Sequence, residues 1–276
     1  MSQTIVIEAI AEAQIMTTED IIIHIFYEVD SSLPPLFKEG HEKLYPSEVI
    51  TIGILFALKG GRFRAFYRWL KRDYDALFGG LPDRTTLQRQ LRDQQVHTDK
   101  LLAEPSLLNV VDSYPMELLF PIREGRSTQQ VGKKGKDKGR WTIGVKLCWV
   151  LNTVGQVCGW AWAPLNCPDN AFTPDLAQFQ EQGIVLTDWG FRCAQGVPAN
   201  VKLCKKGTYN DRMVVETSFS LLTVVANAKK IYHRQEAYIE ARLAYTVAMF
   251  NICLRLFHRL HPQEPAYKMS IAEFSL

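Results

Sequence analysis

Leu107-Leu108-Asn109-Val110-Val111-Asp112 and Ile184-Val185-Leu186-Thr187-Asp188 are short apolar runs that each end on an aspartate. Runs of this length and composition read as buried strands rather than helices. An acid where a buried strand runs out is costly unless something cationic meets it, because desolvation penalises the charged form. A third acid, Glu216, lies in the stretch Asn210 to Lys230. There Val215, Phe219, Leu222 and Ala226 keep helical spacing and leave Glu216 and Arg212 on the border of the apolar stripe. Two strand-end aspartates and one helical glutamate offer the all-oxygen donors that hard divalent cations prefer.

Around these acids strands and helices alternate. Trp141 to Leu151 and Gln156 to Ala163 are β-rich and flank Asn152-Thr153-Val154-Gly155, which predicts a hairpin. Thr173-Pro174-Asp175 predicts a helix running to about Gln182, with Gly183 as its stop, and Asn200 to Lys205 a further strand. The order predicts an α/β domain over 105–276, a mixed sheet flanked by helices with the acids at one edge and helices at the C-terminal end. Residues 1–104 read as a mainly helical N-terminal domain. Ser47-Glu48 opens an apolar-periodic run, Gly60-Gly61 breaks it, Arg62 to Phe78 continues it, and Gly79-Gly80-Leu81-Pro82 stops it. Asp83 or Thr85 then caps a short basic helix, Thr86 to Arg92, with Arg84, Arg89 and Arg92 on polar positions. A helix, a turn and a basic helix can dock on DNA, so 1–104 is read as a DNA-binding region.

At 276 residues with 47% hydrophobic and 22% charged positions, the chain can bury a full core. Its net charge of +3 hides an asymmetry: residues 1–58 hold two Lys/Arg against nine Asp/Glu, so the basic excess begins at Lys59. Localised charge is what binds polyanions. Lys59 to Arg92 carries nine Lys/Arg, and Arg123 to Lys146 carries eight around the run Gly132-Lys133-Lys134-Gly135-Lys136-Asp137-Lys138-Gly139-Arg140. That run is read as a long adaptable loop, with Lys133, Lys134, Lys136, Lys138 and Arg140 set along a nucleic-acid backbone. The six cysteines have no paired C-x-x-C spacing, which argues against structural zinc and for a reducing, cytoplasmic setting. Thr4 to Met16 fits an amphipathic helix better than a signal peptide, and Val49 to Leu58 is too short to cross a bilayer. The histidines form no ligand spacing.

Val111-Asp112-Ser113-Tyr114-Pro115, Val185-Leu186-Thr187-Asp188-Trp189-Gly190-Phe191 and Tyr209-x2-Arg212-x3-Glu216 together resemble the three catalytic blocks of DDE transposases of bacterial insertion sequences. The resemblance spans about Leu107 to Phe250. It implies a ribonuclease-H-like core, Mg2+ or Mn2+ as cofactor, and cleavage and strand transfer of double-stranded DNA at the ends of an insertion sequence. It also implies that Asp112, Asp188 and Glu216 hold the metal, that Tyr209 and Arg212 accompany them on DNA, and that a homodimer holds two ends together. In such chemistry two ions about 3.5–4 Å apart activate the attacking oxygen and stabilise the leaving one. Two departures keep a catalytically inactive DNA-binding remnant or repressor as the alternative. Thr223 stands where the family commonly has Lys or Arg, and Trp189-Gly190-Phe191 replaces the usual polar or basic residue, Gly, Tyr.

Overall fold

The computed structural model describes residues 16–35, 37–38, 40, 42–137, 139–204, 219–220, 230–274 and 276. Helix α1 (Thr18–Ser32) opens on a capping box in which Thr17 and Asp20 satisfy each other's backbone N–H. Helix α2 (Pro46–Lys59) starts on Pro46, with Glu48 accepting the Tyr45 N–H, and ends at Gly60, φ 70°. It is apolar on every side and accordingly buried along nearly its whole length. Helix α3 (Phe63–Asp73) buries only Phe63, Phe66 and Leu70, and α4 (Arg84–Gln94) only Leu87 and Leu91. Of the two caps the sequence offers for α4, Asp83 is used: its carboxylate accepts from the Thr85 and Thr86 N–H groups at 3.0 and 3.1 Å. A 3-10 segment, Gln95–Leu101, leads to the sheet.

The sheet is mixed. Strand β1 (Leu108–Leu119) sits at its centre, antiparallel to β3 (Arg140–Leu151) on one side and parallel to β5 (Ile184–Thr187) on the other. Beyond β5 lies the parallel β6 (Val201–Leu203). The far edge of β3 is shared: β2 (Lys133–Asp137) pairs with its first residues and β4 (Val157–Pro164) with the rest. The hairpin over 152–155 forms as read, with Gly155 at φ 81° and the Asn152 N–H donating to the Gln156 carbonyl at 2.9 Å.

Three local expectations are corrected. Strand β1 does not stop at Asp112 but runs on to Leu119. Pro115 is tolerated because its missing N–H falls on the unpaired side: Glu117, of the same parity, sends its carbonyl away from β3 to the Ile231 N–H at 2.8 Å. The basic run is no loop either, since Lys133–Asp137 is the edge strand β2. The helix read from Thr173 to Gln182 is a 3-10 segment over Asp169–Phe179 with Pro174 inside it, where the missing N–H would break an α-helical ladder.

Two apolar layers cover the sheet. Val111, Val150, Val185 and Val201 face the 3-10 segment through Phe172, Leu176 and Phe179. The opposite face, with Met116, Leu147, Trp149 and Leu151, packs on α5 (Glu236–Leu260), which in turn packs on α2. The helices of 18–94, this sheet face and α5 therefore share one core.

Candidate functional site

The parallel pairing of β1 and β5 aligns Leu108 with Ile184, Asn109 with Val185 and Val110 with Leu186. Asp112 and Asp188 each come two residues after the last aligned pair, Val110 and Leu186, and the backbone of Asp188 is still extended at φ −86°, ψ 178°. Neighbouring strands lie about 4.8 Å apart, so the two aspartates follow the aligned pairs on adjacent strands. Both residues are half-buried. Each also accepts a nearby backbone N–H: Asp112 that of Ser113 at 2.7 Å, Asp188 that of Gly190 at 2.8 Å.

A third acid, which the sequence reading did not single out, completes the neighbourhood. Asp169 opens the 3-10 segment and accepts from Ser113 Oγ at 2.5 Å and Lys146 Nζ at 2.9 Å. Lys146 also donates to the Cys167 carbonyl at 2.8 Å. A methyl group placed on Gly190 would lie 2.9 Å from Asp188 Oδ1 and 3.0 Å from Asp169 Oδ2, so the two carboxylates flank the same glycine. Only a residue without a side chain fits between them. Asp169 is thus paired with Lys146 and adds no unbalanced charge beside Ser113. Pro168-Asp169 ahead of an apolar segment is the one sequence signal that marked it, and it reads only as a cap. Cys148, opposite Ser113, is no competing ligand, since burial, reinforced by Asp112, pushes its thiol well up.

Glu216, Tyr209, Arg212, Thr223 and Lys138 lie outside the described residues, as does most of the stretches 4–16 and 210–230. Among the described residues no group of three His, Cys, Asp or Glu could hold a metal ion. Phe219 is described. It stacks on Tyr114 with ring centroids 5.2 Å apart and tilts against Trp149 at 5.6 Å. Tyr114 is two residues beyond Asp112 on the same strand face, and Trp149 is the cross-strand partner of Asp112.

The basic residues separate into two places. Lys133, Lys134 and Lys136 on β2 and Arg140 at the start of β3 are exposed. Lys134 and Lys136 lie over the ring of Trp141, at 5.3 and 5.2 Å, and that ring is half exposed. Arg84 and Arg89 on α4 are exposed, whereas Arg92 is bound to Asp93 at 2.7 Å and lies over Tyr238. The six cysteines are free thiols, and no described helix is long and apolar enough to cross a membrane.

Comparison with protein-family models and with curated proteins gives no match to this chain.

Proposed function

We propose that this chain is a transposase of the DDE kind, cleaving DNA and transferring the freed strand at the ends of an insertion sequence. The observation that supports the proposal is the parallel β1–β5 register, in which Asp112 and Asp188 each follow two residues after the aligned pair Val110 and Leu186. The mixed sheet, with β1 antiparallel to one neighbour and parallel to the other, is compatible with the ribonuclease-H-like core that such an activity implies. Phe219, three positions after Glu216 in the sequence, packs on Tyr114, two residues from Asp112 along the strand.

The chemistry of the donors suits a hard divalent cation: Asp112 and Asp188 are half-buried carboxylates offering oxygen alone, while Asp169 is bound to Lys146. Asp112, Asp188 and Glu216 would hold Mg2+ or Mn2+. When bound, the metal supplies Lewis acidity and a lowered pKa for the attacking oxygen. The chain's own part is positional. The bonds from the Ser113 and Gly190 N–H groups fix the carboxylates, and the 3-10 segment closes the site from the other face. Lys133, Lys134, Lys136 and Arg140, with Arg84 and Arg89 on α4, supply charge for the DNA backbone.

The test is nicking of a duplex carrying the element's ends in Mg2+. Asp112→Asn and Asp188→Asn should each lower nicking by about 10²–10³-fold or more while leaving duplex binding within a few-fold. Equal cutting by either variant and the parent would sink the metal assignment. Duplex binding with no cutting by the parent, and no Mn2+ uptake that depends on Asp188, would favour the inactive DNA-binding remnant.

A further inference from the structure

At the other end of β1 from the aspartates, the strand's last residues and the connection to β2 enclose a cleft of ≈ 230 Å³. Its floor is apolar, formed by Leu118, Val131 and the ring of His233, and Arg123, Arg126 and Arg234 line it. The three arginines are exposed and, among the described residues, none has a carboxylate within ion-pair distance. The nearest acid of the connection, Glu124, is turned to Lys134 at 3.9 Å. Burial holds His233 neutral near pH 7, its pKa lowered to about 4, so the floor adds no charge of its own.

The cleft is braced from two sides. Gln130 accepts the Gly125 N–H at 2.8 Å and donates to the Gly132 carbonyl at 2.7 Å, which ties the arginine-bearing turns into one unit. The segment bearing Arg234 is pinned to β1 by the Ile231 N–H on the Glu117 carbonyl and by the Lys230–Glu117 ion pair. The turns that carry the arginines are thus held, and a planar guanidinium matches a phosphate's geometry better than a lysine does.

We propose that this cleft grips the phosphodiester backbone of duplex DNA, one phosphate and its sugar entering the cleft while the strand continues out of it. The volume lies below the roughly 300–1,000 Å³ of a pocket for a whole small molecule, so it suits a unit of a longer polymer better than a free cofactor. The cleft also abuts β2, so its arginines continue the basic surface of Lys133, Lys134 and Lys136. Choosing DNA as the polymer rests on the strand-cleaving reading above. Asp112 and Leu118 are separated by six steps of β1, about 20 Å at strand spacing. A duplex lying on both sites would meet the cleft about six base pairs from the reacting bond.

The experiment is equilibrium binding of the full chain to a fluorescent duplex in EDTA, where no cutting occurs, followed by anisotropy across a salt series. Arg123→Ala, Arg126→Ala and Arg234→Ala should each weaken binding, and each lost contact should lower the slope of log K against log salt by about 0.9. Arg234→Lys, which keeps the charge, should restore the slope. A neutral methylphosphonate about six base pairs from the reacting bond should reproduce the loss on the parent protein. An unchanged slope in all three alanine variants overturns the proposal. So does displacement of the duplex by millimolar AMP or inorganic phosphate in the parent but not the variants, which marks a site for a free small anion. Loss of nicking in Asp112→Asn has no bearing on this readout, so the two readings fail separately.

Discussion

At the scale of single residues, the aspartates are held by contacts that can be tested one at a time. Lys146 is largely buried and is bound to Asp169 and the Cys167 carbonyl, so Lys146→Met leaves the Asp169 carboxylate beside Ser113 without its counter-charge. The expected cost is about 1–3 kcal/mol in urea unfolding, because a charge-assisted bond is lost in a partly desolvated place. Nicking should fall with it, since Asp169 and Asp188 press on the same glycine. A variant as stable and active as the parent would remove Asp169 from the site. His233 gives a pH signature. It is enclosed by Phe56 and Tyr238, with Arg242 nearby, and burial first and Arg242 second lower its pKa from 6.5 to about 4. The unfolded chain therefore takes up this proton first. Stability from His233 is complete above about pH 6.5 and is lost as pH falls towards 4, on the order of 3 kcal/mol in all. In His233→Phe the urea midpoint should change less between pH 6.5 and 4.5 than in the parent; an identical pH dependence would refute the assignment.

At the scale of elements, two glycines of the β2–β3 hairpin should respond to different extents. A Cβ on Gly144 would run into the Met116 carbonyl oxygen where β1 and β3 change register, so Gly144→Ala should cost about 3 kcal/mol or more. Gly139, at the hairpin turn with φ 86° and open space around it, carries only the strain of a left-handed backbone, so its alanine variant should cost about 1 kcal/mol. Thermal melts of the two variants compare these costs directly. The hairpin also marks where sequence reading stopped. Strands β3, β4 and β5 were legible because their apolar runs record burial, and the aspartates were legible because each follows such a run. Strand β2 was not, since Lys-Lys-Gly-Lys-Asp has no strand composition and pairs because β3 leaves an edge free and Gly135 fits under Leu165. Likewise Pro115 hid the second half of β1, because the side its missing N–H faces is decided by pairing and not by local preference. Asp169 reaches the site only through the sheet: its partners Lys146 and Ser113 are distant in sequence.

At the scale of the whole molecule, the division at residue 104 read from the sequence coincides with no gap in the packing. Helix α5 connects both parts. Tyr245 donates to the Leu91 carbonyl at 2.8 Å and fills the place against Gly53 where α2 crosses; Arg242 reaches the Ala57 carbonyl; Arg259 pairs with Glu28. Asn251, fully buried, makes the most exacting of these links. Its amide accepts the Val157 N–H at 2.8 Å and donates to the Val157 carbonyl at 2.8 Å and the Leu101 carbonyl at 3.1 Å. One side chain thus replaces a missing strand at the start of β4 while fastening the end of the N-terminal helices. Asn251→Leu keeps the volume but leaves the Val157 N–H without a partner, at a cost of about 1–3 kcal/mol, and takes one bond each from the Val157 and Leu101 carbonyls, which keep the Ala103 N–H and Arg255. We expect a loss of about 2 kcal/mol or more in a single cooperative transition, with the helical signal and the tryptophan fluorescence declining together. Expressed alone, residues 105–276 would expose the α5 surface that α2 covers, and should show neither the near-ultraviolet circular dichroism nor the protease resistance of the full chain. If instead the fragment folds, or the two signals separate in Asn251→Leu, the shared core is not one cooperative unit, and the N-terminal helices move independently of the aspartates.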